Sequence, residues 1–250
     1  MGPCLLAYMI RRILLFGIVA TSHLCSMAQT SSPQQLSELV NDQDPGWPLV
    51  ESWVKQAKNH VQVLPRNPHQ AAETLVAVQV TTRSPMGAVI YETGGILVDH
   101  GWLRILGSGA EALNRDLATW NRGRQNGFLL VADDVVGGFF ALNGGAFGQE
   151  SLGQVFYLAP NNLQWEATEK TYSEFLVFCF SGNLDKFYKG LRWPGWEKEL
   201  EAQDGTTSFA FYPFLFTAEG QDIRKTARRL VPVAEIWTLH TQFRQQLNIH

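Results

Sequence analysis

Cysteine is scarce in this sequence, with three residues among 250. Cys4 and Cys25 lie in a leader segment described below, so the mature chain retains only Cys179. A single cysteine excludes an internal disulfide, even in an oxidising compartment. Cys179 stands between Phe178 and Phe180, and a free cysteine on an apolar helix is far more often a core residue than a nucleophile.

Runs of positive charge are also missing. The chain has 20 Lys and Arg residues against 23 Asp and Glu, for a formal net charge of −3. The only charged residues of the leader are Arg11 and Arg12, so its removal takes the net charge from −3 to −5. A mildly acidic chain without a Lys/Arg run lacks the electrostatic footprint of a nucleic-acid-binding protein. We therefore expect no nucleic-acid partner.

Sequence patterns for metal binding and nucleophilic catalysis are absent as well. There is no His-x-x-x-His or Cys-x-x-Cys pair and no G-x-S-x-G elbow, so the sequence gives no warrant for a metal site or a hydrolase. Asp99 and His100 invite an acid–base interpretation, but they have no visible nucleophile and are better interpreted as a turn between two strands. No catalytic residue, metal ligand or cofactor is predicted, and the sequence leans against an enzyme without deciding the question.

Long apolar runs are limited to one short segment near the N-terminus. Residues 13–20 are mostly apolar and follow Arg11 and Arg12, and the small-residue site Ser26–Ala28 precedes Gln29. This arrangement is typical of a secretory signal peptide, and the run is shorter than the ~20 apolar residues that span a bilayer. A buried N-terminal helix is the alternative, disfavoured by the polar spacer that follows. We predict a signal peptide over residues 1–28 and a secreted or periplasmic protein with no stable membrane anchor after its removal.

The remaining residues, 29–250, have a globular composition and are predicted to form a single α+β domain. Alternating apolar and β-branched residues favour strands, and apolar residues at helical spacing favour helices. Strands are predicted over residues 74–80, 88–91, 96–98, 102–106, 128–132, 139–142, 154–158 and 209–216. Helices are predicted over residues 36–40, 50–61, 110–120, 172–180, 184–191 and 233–247. Helices at both ends then flank a mostly antiparallel or mixed sheet.

The stretch 127–148 is central to this prediction, because it contains two apolar strands joined by an Asp/Gly turn. Asp133 and Asp134 are expected at one edge of the sheet, beside the exit of the Trp102 strand. As surface ligands of a partner they would tolerate asparagine, and as caps of the turn their loss would cost about 1 kcal/mol, as for helix caps. Gly138 is expected to permit the turn, so that Gly138→Val would cost about 1–3 kcal/mol.

Polar and aromatic side chains supply the candidate binding surface. The Thr81–Ser84 loop offers a guanidinium and three hydroxyls, which suit phosphate or carboxylate, although such hydroxyls more often bond their own backbone. Tryptophan and arginine are frequent in binding hot spots, although large aromatic side chains are core residues by default. The candidate binding residues are Thr81, Thr82, Arg83, Ser84, Trp102, Arg104, Asp133, Asp134, Trp165, Arg192 and Trp193.

An alternative function rests on Gly107–Ala112, which fits the pattern G-x-G-x-x-A. It follows a predicted strand, opens a predicted helix and is followed by Asp133, as in dinucleotide-binding folds. Against this, the acid comes later than the expected ~20 residues, and a hairpin replaces the helical crossovers that should come next. The alternative is an enzyme that binds a nucleotide or a small anionic substrate at these residues. It requires the backbone amides of residues 108–110 to face an open pocket.

Six blocks of the sequence resemble a bacterial family of unknown function, DUF2625. The resemblance extends from about Leu36 to about Leu247. It implies no activity, since none is established for the family. The blocks are VQVTTRSPMGAVIYETGG, GWLRILGSG, LLVADDVVGGFFALNGGAFG, FYLAPNNLQWE, FYKGLRW and YPFLFT.

Residues 127–180 also resemble the SUKH superfamily. An acidic turn, a Gly-Gly pair and an aromatic strand ending in Ala-Leu-Asn precede a strand at 154–158 and a helix containing Glu174–Leu176. This similarity implies an α+β core and a non-catalytic module that binds a protein or a peptide, since many SUKH proteins are immunity proteins against bacterial toxins. The secretory leader departs from that group, because many of those immunity proteins act in the cytoplasm.

Overall fold

A computed structural model describes residues 32–124, 126–201 and 203–249. The predicted signal peptide and its cleavage site lie outside these ranges. A seven-stranded antiparallel sheet, whose strands neighbour one another in chain order, forms the centre of the described chain. Its strands are β1 Val61–Leu64, β2 Gly95–Val98, β3 Leu103–Leu106, β4 Phe128–Asp134, β5 Phe139–Asn143, β6 Gln154–Leu158 and β7 Trp165–Thr171. The predicted α+β class and its antiparallel sheet are confirmed; the SUKH-like core stays a prediction.

Helices precede, separate and follow these strands along the chain, and a second, two-stranded sheet comes after the seventh strand. The helices are α1 Leu36–Leu39, α2 Trp47–Lys55, α3 Pro68–Val78, α4 Pro85–Glu92, α5 Leu117–Asn121, α6 Tyr172–Ser181, α7 Leu184–Phe187, α8 Trp196–Leu200 and α9 Val233–Gln246. The second sheet pairs β8 Thr207–Tyr212 with β9 Ala227–Pro232 in antiparallel fashion. We refer to this pair of strands as the ribbon.

Both faces of the central sheet are covered, as two adjacent residues of β5 show. Successive side chains of a strand point to opposite faces, and Phe139 and Phe140 of β5 are both fully buried. Phe139 contacts Trp237 of α9, with ring centroids 5.0 Å apart. Phe140 contacts Phe175 of α6, with centroids 4.9 Å apart. Burial on both faces explains why the central strands are apolar at nearly every position instead of at alternate ones.

Elements with strong local signals form where the sequence predicts them. The central hairpin, β6, α6 and α9 agree with prediction to within about two residues. Thr171 and Glu174 form the predicted capping box of α6: the Thr171 hydroxyl accepts from the Glu174 amide, and the Glu174 carboxylate accepts from the Thr171 amide. Cys179 is fully buried on this helix, as predicted.

The strand predicted over residues 74–80 is wrong, because α3 continues to Val78. Asn67 caps this helix, its side-chain oxygen accepting from the amides of His69 (3.0 Å) and Gln70 (3.3 Å). Pro68 occupies the first turn, where a missing N–H costs nothing. A good cap and an inward apolar face outweigh the strand preference of the β-branched residues in this segment.

The strand predicted over residues 88–91 is wrong for a similar reason. Ser84 caps α4 by accepting a hydrogen bond from the Gly87 amide (3.0 Å), and Pro85 follows it. The apolar run Ala88–Ile90 is buried on all sides, so it lacks the periodicity that would identify it as a helix.

Several further elements differ from prediction. The strand β8 spans Thr207–Tyr212 instead of residues 209–216, α7 ends at Phe187 instead of residue 191, and α8 was not predicted. The second helix ends at Lys55, and Val61 begins β1 instead of extending that helix. Residues 110–113 form a tight bridge, and α5 begins only at Leu117, after its cap Asp116. The polar edge strand β7 and the strand β9 were not predicted, because exposed edge strands carry charged residues in place of apolar alternation.

Candidate functional site

Asp133 is not on the surface: it lies at the centre of a buried ionic cluster. It accepts hydrogen bonds from Arg104 Nε (2.7 Å) and from Arg115 Nη2 (2.5 Å). Asp133 is fully buried and the two arginine side chains nearly so. Arg104 also donates to the carbonyls of Thr207 and Asp134 and to the Ser208 hydroxyl. The cluster therefore ties the ribbon to the central sheet. The predicted position of Asp133 at the sheet edge, and the alternative in which it is a surface ligand, are wrong.

Asp134 is also fully buried and holds the turn between β4 and β5. Its carboxylate accepts from the amides of Val136 (3.1 Å) and Gly138 (2.7 Å) and from the Tyr157 hydroxyl (2.8 Å). Burial raises the pKa of Asp134 to about 6, and the hydrogen bonds from Gly138 and Tyr157 and the positive charge of Arg104 oppose this shift. Asp134 therefore caps the turn, which was one of the two alternatives for the pair Asp133 and Asp134. It does so from the protein interior and not from the edge of the sheet.

Trp102 and Trp193 are buried, and the partly buried Arg192 lies between Trp102 and the surface residue Asp185. The Arg192 guanidinium lies 4.8 Å from the Trp102 ring centroid and 4.4 Å from that of Trp196, and it pairs with Asp99. Trp193 packs 5.7 Å from Trp102 and is buried. These residues stabilise the fold by packing and cation–π contact, and offer a partner little surface.

The remaining predicted binding residues lie apart from one another. In the Thr81–Ser84 loop, the Thr82 hydroxyl accepts from the Asn41 amide (2.8 Å), and Arg83 pairs with the exposed Asp44. Together with the Ser84 cap of α4, these contacts match the alternative in which the loop's polar groups are satisfied within the chain. Trp165 is half-buried on β7 and packs against Phe128 and Phe147.

The Gly107–Ala112 segment does not form a phosphate cradle. The amide of Ser108 donates to the Thr93 carbonyl, that of Gly109 to the Gly94 carbonyl and that of Ala110 to the Leu113 carbonyl, at 2.9–3.1 Å. The three amides on which the nucleotide alternative depends are thus used within the fold. With Asp133 buried in its ionic cluster, the geometry removes the basis of that alternative.

An apolar groove that the sequence did not reveal opens beside the ribbon. It has a volume of about 430 Å³, within the range of ligand-binding clefts. Tyr212, at its mouth, is 73% exposed. Its lining residues, which define the ribbon groove, are Ala210, Phe211, Tyr212, Phe214, Ala227, Arg228, Arg229 and Leu239.

Aromatic residues at alternate positions support this groove. Tyr212, Phe214 and Phe216 follow one another at a spacing of two. Phe214 stacks on Phe216 (5.5 Å), and both contact Phe243 of α9 (4.8 and 5.0 Å). The alternation was visible in the sequence but was interpreted as a broken strand around Pro213.

A small inner cleft adjoins the ribbon groove, and the two share the lining residues Ala210, Phe211, Phe214 and Leu239. His240 lines this cleft, and its Nδ1 atom is buried without a hydrogen-bond partner in the described part of the chain. The cleft encloses about 20 Å³, roughly the space of one water molecule. Burial lowers the pKa of His240 to about 4, so the imidazole is neutral near pH 7.

We expect His240→Gln to flatten the dependence of stability on pH. Because the pKa of His240 is about 4 in the fold and 6.5 in its unperturbed state, folding favours the neutral imidazole. The free energy of unfolding therefore loses nothing to His240 above pH 6.5. It falls by up to about 3 kcal/mol as the pH falls toward 4, because the unfolded chain then binds a proton that the folded protein does not. Denaturant melts between pH 4 and 7 should show a steeper loss for the wild type than for His240→Gln.

Asp134 does not obscure this comparison. Because the pKa of Asp134 is raised in the fold, its carboxyl group ionises more readily in the unfolded chain between pH 4 and 6. Asp134 therefore lowers the free energy of unfolding as the pH rises, whereas His240 lowers it as the pH falls. Both proteins retain Asp134, and the difference between their curves isolates the histidine. Parallel curves would contradict the burial of a neutral His240.

Two arginines line the ribbon groove, and only one of them has an acidic partner among the described residues. Arg228 pairs with Glu199, its Nε lying 2.9 Å from a carboxylate oxygen, and stacks over the Trp193 ring at 4.4 Å. Arg229 is exposed and forms no ion pair with any described residue.

Metal and membrane features give no further lead: the described residues contain no cluster of three His, Cys, Asp or Glu suited to a metal ion. None of their helices has the length and apolarity needed to cross a bilayer.

Comparison with known proteins gives relatives without an assigned activity. Residues 36–236 match the family described as "Protein of unknown function DUF2625". The uncharacterized protein YbfG of Escherichia coli (strain K12) is 41% identical over 215 residues, which cover 85% of this chain and 98% of that protein. An uncharacterized protein of Haemophilus influenzae (strain ATCC 51907 / DSM 11121 / KW20 / Rd) is 42% identical over 189 residues, covering 73% of this chain and 82% of that protein.

Proposed function

The chain belongs to the DUF2625 family, and from that premise we propose that it is an exported, non-catalytic module that binds a protein or a peptide. The acids that sequence analysis singled out as candidates are engaged within the fold. Asp133 pairs with two arginines, and Asp134 accepts three hydrogen bonds. Neither carboxylate is free to act on a substrate, which supports a binding role over a catalytic one.

The observation that carries the proposal is the exposed Tyr212 at the mouth of the ribbon groove. Tyrosine and arginine dominate the residues that contribute most to protein–protein binding, and this groove combines Tyr212 with Arg228 and Arg229. Exposed apolar surface of this kind costs solubility unless a partner covers it. The similarity of residues 127–180 to the SUKH superfamily points the same way, and an immunity role against a toxin is the narrower form of the proposal.

Export rests on the basic pair Arg11 and Arg12, the short apolar run after it and the small-residue site at Ala28. N-terminal sequencing of the protein recovered from the periplasm or the medium is expected to begin at Gln29. A protein recovered there that still carries residues before Arg11 would contradict cleavage. Recovery of the whole pool from the cytoplasm would contradict export itself.

Site-specific photocrosslinking tests the binding surface. A photoreactive phenylalanine analogue in place of Tyr212 is expected to crosslink a discrete partner in cells. The matched control places the same analogue at Leu152, another apolar side chain that is half exposed (51%) but does not line the groove. Identical crosslinks at both positions, or none at position 212, would count against binding through the ribbon groove.

A further inference from the structure

We infer that the ribbon groove takes an acidic peptide segment, with an apolar or aromatic side chain against Tyr212 and a carboxylate on Arg229. This inference rests on the proposed function and specifies the chemistry of the partner. It follows from the charge of the groove, from the availability of one arginine and from the shape of the surface.

The charge of the segment 224–229 is opposite in sign to that of the chain. Its four cations, Arg224, Lys225, Arg228 and Arg229, face two carboxylates that pair with them, Asp222 and Glu199. The surplus of positive charge is local, since the whole chain has a net charge of −3. Complementary charge favours a negatively charged partner and speeds its encounter.

Arg229 is the cation of the groove that remains available. Arg228 is held by Glu199 and by the Trp193 ring, so a ligand would have to displace an existing ion pair to use it. Arg229 is exposed, lines the groove and has no acidic partner among the described residues. A guanidinium in this state accepts a carboxylate by two parallel hydrogen bonds without first breaking a contact.

The shape of the surface favours a peptide over a membrane or a flat protein face. The groove is concave and mostly apolar, with room for one or two large side chains at about 430 Å³. Among the described strands β9 pairs only with β8, so no other described strand occupies its outer edge, the kind of edge to which an extended peptide can add. Elements that lie on a bilayer surface are typically amphipathic helices, whereas this groove is formed mainly by the two strands of the ribbon.

A binding assay with synthetic copolymers tests the inference. The probe is a fluorescein-labelled random copolymer of glutamate and tyrosine, and its counterpart is a labelled copolymer of lysine and tyrosine. Anisotropy titrations of the mature protein are expected to show saturable binding of the glutamate copolymer that weakens with salt. The lysine copolymer is expected to bind at least tenfold more weakly, because it places like charge against Arg229.

Two variants with the same change in charge locate the interaction. Arg229→Glu is expected to weaken binding of the glutamate copolymer about tenfold or more. Arg122→Glu is the matched control, because Arg122 is also exposed, forms no ion pair with any described residue and lies outside the groove. It is expected to leave binding within about twofold of the wild type. Equal losses in both variants would reduce the effect to net charge and overturn the inference.

Other occupants would give different outcomes. If the Tyr212 crosslink persists unchanged in Arg229→Glu and the glutamate copolymer does not bind, the groove is a binding site but its partner is not acidic. Binding to vesicles of phosphatidylglycerol and phosphatidylcholine, without binding to the copolymer, would assign the surface to membranes. A dimer in light scattering that Tyr212→Ser dissociates would assign it to a second copy of the chain. Each of these results overturns the acidic-peptide inference, whereas a lost or unspecific Tyr212 crosslink counts against the protein- or peptide-binding role proposed above.

Discussion

Asp133→Asn is expected to lower the free energy of unfolding by about 3–5 kcal/mol, because it leaves buried cations without their counter-charge. Asp133 is the shared acceptor of Arg104 and Arg115, and all three side chains are removed from solvent. Arg104 keeps its bonds to Thr207, Asp134 and Ser208, but these acceptors are neutral. Two guanidinium groups would then share the interior with no carboxylate between them.

Urea melts of Asp133→Asn and of a matched control measure this effect. The control is Asp44→Asn, which removes an exposed ion pair with Arg83 (2.9 Å) and is expected to cost less than about 1 kcal/mol. The comparison separates burial from the mere loss of a salt bridge. Similar small losses in the two variants would restore the alternative in which Asp133 is a surface ligand.

Gly138→Val is expected to destabilise the protein by about 3 kcal/mol or more, because the site has no room for a side chain. A Cβ atom on Gly138 would overlap the Tyr157 hydroxyl, the Asp134 carboxylate and the Tyr157 ring. Accommodating it would separate Tyr157 from Asp134, leaving a buried carboxylate with one donor fewer. The sequence predicted a smaller cost from backbone strain, but the positive φ belongs to Gly137 (89°) and not to Gly138.

A second glycine of the same hairpin provides the control. At Gly144 a Cβ atom would meet only the Gly127 carbonyl, at 3.1 Å, and φ is not positive. Gly144→Ala is therefore expected to cost about 1 kcal/mol or less. Thermal or denaturant melts of both variants separate the cost of steric overlap at Gly138 from the general cost of replacing a glycine in this region. A fully stable Gly138→Val protein would show that Tyr157 does not reach Asp134.

The elements that the sequence predicts well are those whose signals lie within a few residues. The capping box of Thr171 and Glu174 fixes the start of α6, and the alternation of residues 154–158 gives β6. The two apolar runs of residues 127–148 form the central hairpin for the same reason. The predictions for α3 and α4 are wrong because the β-branched residues of α3 resemble a strand and the buried apolar run of α4 lacks helical periodicity. Their caps, Asn67 and Ser84, were the better guides.

By itself, then, the sequence determined the family, the α+β class and the positions of most central strands, because these depend on local patterns and on long shared blocks. Only the tertiary structure decided where the chemistry lies. Asp133 is buried because Arg115 and Arg104 reach it from 18 and 29 residues away, a pairing that no local pattern encodes. The ribbon groove joins β8, β9 and α9, and its surface exists only where these separate segments meet.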